Sequence, residues 1–276
     1  MVIGIVGLGL IGGSMAKAVS THTGHKVLGD DKDGAVLEAA IADGAVIGEL
    51  TDSRLPLCEL IIVALAPGLT EAWFSEKGAL VAKDTVVVDC CGTKRAVCVA
   101  GRAAAAKYEF AFVGGHPMAG IEKTGYGASR ADLFKGASMI LVEPGDKDGM
   151  LTDFFTSVGF GGVVTATAET HDAVIAYTSQ LAHVVSSAYI TSPTAERQAG
   201  FSAGSFKDMT RVAYLNEALW AELFLQNRDF LAHELDLLQA RLSDFREAIA
   251  SGDEARLTEM LTEGKQRKIR IDGGAA

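Results

Sequence analysis

Through the first part of the chain apolar residues come in short runs; through the rest they recur at helical spacing. Residues 2–6 are one such run, and strand-like segments follow at 26–29, 60–65, 85–89 and 110–113. Runs this short, bounded by Gly, Pro and Asp, read as strands buried on both faces. Stretches of helical length separate them, around Met15 to Val19, at 34–42, after Pro67 and at 97–106. Such alternation predicts an α/β class with a Rossmann-type, doubly wound parallel sheet. Residues 139–142, a helix over 148–158 and residues 163–165 predict a final βαβ extension of the same sheet.

From Glu169 the glycines thin out, and Val174, Tyr177, Leu181, Val184, Val185 and Ala188 mark one face of a long helix that Pro193 ends. A shorter helix is expected at 205–214, a very long one at 216–249 and a last one at 253–265. The expected organisation is the Rossmann-type sheet domain over 1–167 and an all-helical dimerisation domain over 168–276. Leu219, Leu223, Phe230, Leu235, Leu238 and Phe245 place apolar residues on more than one helix face, which calls for a partner surface. A homodimer is the economical expectation.

Composition narrows the chemistry. With 276 residues, 49% of them hydrophobic, the chain can bury a large core. Its formal charge of −10 argues against nucleic acid as a partner, because phosphate backbones need clustered Lys and Arg. No apolar run is long enough to cross a bilayer, and residues after Met1 enter the first strand with no leader-like segment. Cys58, Cys90, Cys91 and Cys98 lack the density of a stapled secreted domain. A cytoplasmic protein acting on a small molecule is expected.

The first run ends in Gly7-Leu8-Gly9-Leu10-Ile11-Gly12-Gly13-Ser14, a glycine turn between a strand and a helix. In that context glycines make the tight turn, admit a pyrophosphate to the backbone and let the helix pack on the sheet. An acid is expected at the end of the second strand for the ribose hydroxyls, and Asp31, after Asp30, stands there. Two adjacent carboxylates favour NAD over NADP, although Lys32 is close by.

Two further segments follow strands and so belong on the carboxyl rim where such sheets bind ligands: Cys90-Cys91-Gly92-Thr93, and the glycine-rich block at 114–127 with His116 before Pro117. Thr93 reads equally as a helix cap. In the helical part His171, Gln180, His183, Lys207, Asp208 and Arg211 are candidate contacts. A histidine on an apolar helix also reads as a satisfied core residue, and Arg211 as the partner of a neighbouring acid.

Three separated blocks coincide: the glycine turn; Gly-Gly-His116-Pro-Met-Ala-Gly-Ile-Glu-Lys-Thr-Gly; and His171-Asp172 with Ser179-Gln-Leu-Ala-His183 and Lys207-Asp-Met-Thr-Arg211. Together they resemble the prephenate dehydrogenase family over nearly the whole chain. The resemblance implies NAD(P)-dependent oxidative decarboxylation of prephenate to 4-hydroxyphenylpyruvate, in tyrosine biosynthesis. It implies His116 as the base on the ring hydroxyl, with Thr93 where the family has a serine touching that hydroxyl. Arg211 would grip a carboxylate, and His183, with Gln180, would line the substrate pocket. Gly7, Gly9, Leu10, Ile11, Gly12 and Asp31 would hold the cofactor. Two departures stand out: the family's Asp-Val-Gly-Ser-Val-Lys reads Cys90-Cys91-Gly92-Thr93-Lys94-Arg95, and a frequent histidine is Gln180. With the sequence ending at Ala276, the extra domain some members carry is not expected. Arogenate as substrate, another Rossmann dehydrogenase, and a silent dinucleotide sensor are the alternatives.

Overall fold

The computed structural model describes residues 1–142 and 149–273. It divides into two compact units, Met1–Arg228 and Asp229–Ala276. The first unit opens with β1 (Val2–Val6), α1 (Leu10–His22), β2 (Lys26–Asp30), α2 (Gly34–Ala42), β3 (Leu60–Val63), α3 (Pro67–Lys77), β4 (Val86–Asp89), α4 (Arg95–Tyr108) and β5 (Ala111–Val113). The strands form one parallel sheet in the order β2-β1-β3-β4-β5. Period-two alternation feeds both faces: Leu60, Ile62 and Val88 join α1 in one core, while Ile61, Val63 and Val87 join Trp73, Phe74 and Val97 in the other. Each of these side chains is withdrawn from water, which is worth roughly 1.5–3 kcal/mol apiece.

Register places the chemistry. Val6 pairs with Asp30 and with Val63, and Val63 with Asp89, so the strand ends lie in one row. The glycine turn, Asp31 and the Cys90 segment therefore leave the sheet along a single carboxyl rim.

The expected βαβ extension forms, but not on this sheet. β6 (Gly115–Pro117), β7 (Ser138–Val142) and β8 (Gly162–Ala166) make a separate sheet in that order, with β6 antiparallel to β7 and β7 parallel to β8. α5 (Met150–Ser157) bridges β7 and β8; the expected helix start at Asp148 lies outside the described residues. The chain leaves the first sheet at Gly114 and Gly115. A Cβ on Gly115 would come within 2.5 Å of the Asp89 carbonyl oxygen, so only a glycine lets β6 cross this close to β4.

After β8 the structure is helical: α6 (Ala168–Ile175), a π-helical turn (Ala176–Leu181), α7 (Ala182–Ile190), α8 (Gly204–Thr210), α9 (Glu217–Gln226), α10 (Arg228–Ser251) and α11 (Glu254–Ile271). The change from mixed to helical structure at 167/168 lies inside the first unit. Two expected helices differ in detail. The first long one contains the π turn, and the very long one is interrupted at Asn227, whose side chain is fully buried among polar partners. Among the described residues no helix is long and apolar enough to cross a membrane.

Candidate active site

The glycine turn fits a dinucleotide, each glycine for its own reason. Gly7 has φ +84°, and a Cβ there would meet the Ala64 carbonyl at 2.7 Å. A Cβ on Gly12 would lie 1.8 Å from the Gly7 carbonyl oxygen, whereas Gly9 faces open space. Gly7 thus makes the turn, Gly12 lets α1 close on it, and Gly9 leaves room for a ligand. α1 starts at Leu10 with no side-chain cap and no acid in its first turn, so the N–H groups around Leu10, Ile11 and Gly12 face the opening as a ready anion site. Asp31 stands on the rim beside it, where Oδ2 accepts from Leu8 N at 2.8 Å and Oδ1 from Asp33 N at 3.0 Å. Burial, and then Asp31, raise the Asp30 carboxyl above its ordinary value. Asp30, Glu49 and Asp52 line a neighbouring cavity of about 210 Å³, and its Lys77 is already paired with Asp52 at 2.7 Å.

At the end of β4 a buried pair sets the frame. Asp89 and Lys94 are both 0% exposed and form an ion pair. Asp89 also accepts from Cys91 N at 2.8 Å and Gly115 N at 3.1 Å, and Lys94 donates to Gly115 O at 2.5 Å. Burial works against the Lys94 charge, but Asp89 together with the neighbouring Cys91 and Cys98 outweighs it and raises the ammonium above its usual range. One ion pair thereby fixes the main chain at Gly115, immediately before His116.

His116 sits in β6 with Nδ1 2.8 Å from Nε2 of His171, whose own Nδ1 lies 2.8 Å from Oδ1 of Asp172. Asp172 also accepts from Lys94 N at 2.7 Å and from Arg95 N and Nε at 3.0 and 3.2 Å. The carboxylate of α6 thus closes the N-terminus of α4, the role the sequence left open for Thr93. Against the burial that would raise it, hydrogen bonds from His171 and the two backbone amides hold Asp172 below the usual carboxylate range. Burial, and then His171 and Lys94, hold His116 well below the ordinary imidazole value; burial lowers His171 too. A neutral imidazole on the ligand rim is a ready proton acceptor.

Thr93 is buried and donates its hydroxyl to Gln226 Oε1 at 2.6 Å, so towards anything else its oxygen can only accept. Gln180, in the π turn, is 1% exposed, with Nε2 donating to Leu223 O at 3.1 Å and Oε1 accepting from Asn227 Nδ2 at 2.8 Å. Asn227 also donates to Asp172 O and accepts from Arg95 Nη2. Gln180, for which a place in the substrate pocket was expected, is engaged at both ends of its amide, bracing the π turn against the end of α9. Neither Asn227 nor the Asp89–Lys94 pair was singled out in the sequence; a polar residue interrupting a long apolar helix was the available signal for Asn227.

His183 stacks on Trp220, centroids 3.6 Å apart, and its Nδ1 donates to Ser179 O at 2.9 Å. Burial, and in smaller part Arg211, lower its pKa. Arg211 Nη1 pairs with Glu122 Oε1 at 2.7 Å, their side chains 64% and 37% exposed. Arg211 does pair with an acid, but with one in the His116 block 89 residues away rather than a neighbour on its own helix. That block and the residues after it are tied to α1 and the end of α2: Arg130 N donates to Ser14 Oγ at 3.0 Å and Tyr126 OH to Asp43 at 3.0 Å. Burial pushes the Cys90 thiol up to about 12 and the Cys98 thiol up to about 11, which disfavours the nucleophilic thiolate at both.

A phosphate-ready glycine turn, a neutral imidazole on the same rim and an arginine tied to the imidazole's own loop define a dinucleotide-dependent oxidoreductase. Comparison with known proteins narrows that class. Residues 15–159 match the model described as "Prephenate dehydrogenase, nucleotide-binding domain", and residues 167–263 that described as "Prephenate dehydrogenase, dimerization domain". Over 250 residues the chain is 31% identical to the prephenate dehydrogenase of Bacillus subtilis, covering 84% of this chain and 66% of that protein. Over 285 residues it is 30% identical to the cyclohexadienyl dehydrogenase of Zymomonas mobilis, covering 98% and 95%. The prephenate dehydrogenase of Aquifex aeolicus, solved with hydroxyphenyl propionate and NAD+, superposes with a TM-score of 0.84 at 24% identity, covering 98% of each chain. The arogenate dehydrogenase of Synechocystis gives 0.81 at 23%, covering 98% of this chain and 100% of that one. The chain belongs to the prephenate dehydrogenase family.

Proposed function

We propose that this protein catalyses the NAD-dependent oxidative decarboxylation of prephenate to 4-hydroxyphenylpyruvate, as a cytoplasmic homodimer on the route to tyrosine. The observation that carries the reading is His116, held neutral on the rim of a dinucleotide-type sheet and backed by a buried carboxylate. Its family and the names of its relatives agree with it. Glycines 7, 9 and 12 and the first turn of α1 would hold the cofactor's pyrophosphate and Asp31 its ribose, and the surrounding acids would disfavour NADP. When bound, NAD would supply the two-electron oxidant that receives the hydride.

His116 takes the proton of the ring hydroxyl as its C–O bond becomes C=O and the hydrogen on the same carbon departs with its electron pair. The ring carboxylate leaves as carbon dioxide, its bonding pair completes the aromatic ring, and the phenolate oxygen recovers the proton from His116. No net proton is released, so the base is regenerated within one turnover. Arg211 receives a substrate carboxylate, sharing its donors with Glu122, and His183 on Trp220 forms the adjoining wall. Thr93, its own proton engaged by Gln226 Oε1, lines the pocket beside the ring hydroxyl, and Gln180 supports the pocket from behind.

Prephenate rather than arogenate is the preferred substrate, because Glu122, an acid that could receive arogenate's ammonium, is already paired with Arg211. A division of labour at 167/168 accompanies this reading, and exposed Tyr177, Phe201, Tyr214 and Leu225 supply apolar surface for the dimer. Turnover of prephenate and arogenate with NAD and NADP, followed at the nicotinamide absorbance, tests it. The highest kcat/KM is expected for prephenate with NAD, and no turnover of either substrate would refute the activity.

A further inference from the structure

The hydrogen bonds behind His116 do more than orient a ring. Nδ1 of His171 lies 2.8 Å from Oδ1 of Asp172, and Asp172 is held in place by Lys94 N, Arg95 N and Arg95 Nε. A carboxylate only accepts, so His171 carries its proton on Nδ1. Nε2 of the neutral His171 ring is then an acceptor, and the atom 2.8 Å from it is Nδ1 of His116. That bond forms only if His116 also carries its proton on Nδ1, which leaves Nε2 of His116 bare. An unconstrained neutral imidazole prefers the opposite arrangement, with its proton on Nε2, in which His116 could not receive a proton there.

We propose that His171, anchored by Asp172, is a positioning residue that sets the tautomer of His116 and so makes its Nε2 the atom that accepts the substrate's proton. This rests on the reading of His116 as the base. The two rings and the carboxylate come from two elements, β6 and α6, whose members lie 55 residues apart, and α4 contributes the backbone amides that immobilise the acid. The charged groups around the relay are Asp172 on α6, Lys94 and Arg95 at the start of α4, and Asp89 at the end of β4. When Nε2 takes a proton, the new imidazolium donates from Nδ1 towards His171, and Asp172 stabilises the charge through that ring. Lys94 opposes it, which favours return of the proton to the product oxygen.

The experiment pairs nitrogen-15 imidazole NMR of the whole enzyme with kinetics of His171→Gln and His171→Leu. In the unmodified protein at pH 8, His116 is expected with its proton on Nδ1; a proton on Nε2 would overturn the proposal. His171→Leu should shift His116 towards the Nε2-protonated form and lower kcat by about ten- to hundredfold, part of the 10²–10⁴ that a positioned base supplies, with KM little changed. His171→Gln keeps an acceptor for Nδ1 and should recover part of that loss. A Leu variant with unchanged kcat and pH profile overturns the relay. If the Leu variant does not fold, the tautomer of the unmodified enzyme and the Gln variant decide. An Nδ1-protonated His116 in an enzyme that turns over neither prephenate nor arogenate would refute the proposed activity while supporting the relay.

Discussion

Behind His116 the supporting charges are buried: Asp172 is 1% exposed at its side chain, and Lys94 and Asp89 are 0%. Around Arg211 they stand largely in solvent, at 64% for the guanidinium side chain and 37% for Glu122. Both sides use ion pairs between residues far apart in the chain, yet the physics differs. A buried pair is held by geometry and by the cost of leaving either partner alone, so it keeps atoms in place. An exposed pair is screened, worth at most about 1 kcal/mol, and can exchange partners with an incoming anion. Proton transfer needs the first kind of support and admission of a charged substrate the second. On the proposed reading each kind of pair stands where its task lies.

The largest effect should come from cutting the buried side. Lys94→Met leaves Asp89 an unpaired carboxylate in the core and should lower stability by about 3–5 kcal/mol. Urea unfolding measures this, and a loss below about 1 kcal/mol would show that the pair is not the support of Gly115 and His116. His116→Asn should leave NAD affinity intact and reduce kcat by about 10²-fold or more, equivalent to roughly 2.7 kcal/mol of barrier. Single-turnover kinetics would detect this, and an unchanged chemical step would move the base elsewhere.

The pH response carries the same contrast. Burial first, then neighbouring charges, depress His116, and burial also depresses His171. On acidification the unfolded chain therefore binds protons before these rings do. Their contribution to stability is complete above the ordinary imidazole value of about 6.5 and is lost as the pH falls towards their folded values. The acid limb of kcat should likewise lie below about 6.5. A limb at or above that value would mean that His116 is not held neutral by its burial.

The smallest effect belongs to the exposed side. Arg211→Ala should raise the KM for prephenate by about tenfold while kcat changes less, because a carboxylate contact made equally in ground and transition states is uniform binding. Raising salt from 0.05 to about 0.5 M should weaken substrate binding in the parent enzyme and hardly at all in the variant, since screening acts on exposed charges. Equal salt dependence in both would place the substrate's carboxylate on another residue.

The strands, the glycine turn, Asp31 on the rim and His116 beyond the sheet are all legible in the sequence, because short-range pattern determines them. A run of apolar residues can bury both faces of a strand, and a turn tight enough to bring Gly12 onto Gly7 excludes every side chain. The second sheet, the π turn, the break at Asn227, the engaged amide of Gln180 and the partners of His116, Asp172 and Arg211 were decided only by the tertiary structure. The decisive bonds span 55 residues for His116 with His171, 78 for Asp172 with Lys94 N and 89 for Glu122 with Arg211. A histidine or glutamine on an apolar helix reads the same whether it faces a ligand, a carboxylate or a neighbouring backbone carbonyl. Hydrogen bonds are fixed by where donors and acceptors meet in space, and that meeting is set by packing rather than by the residues on either side in the chain.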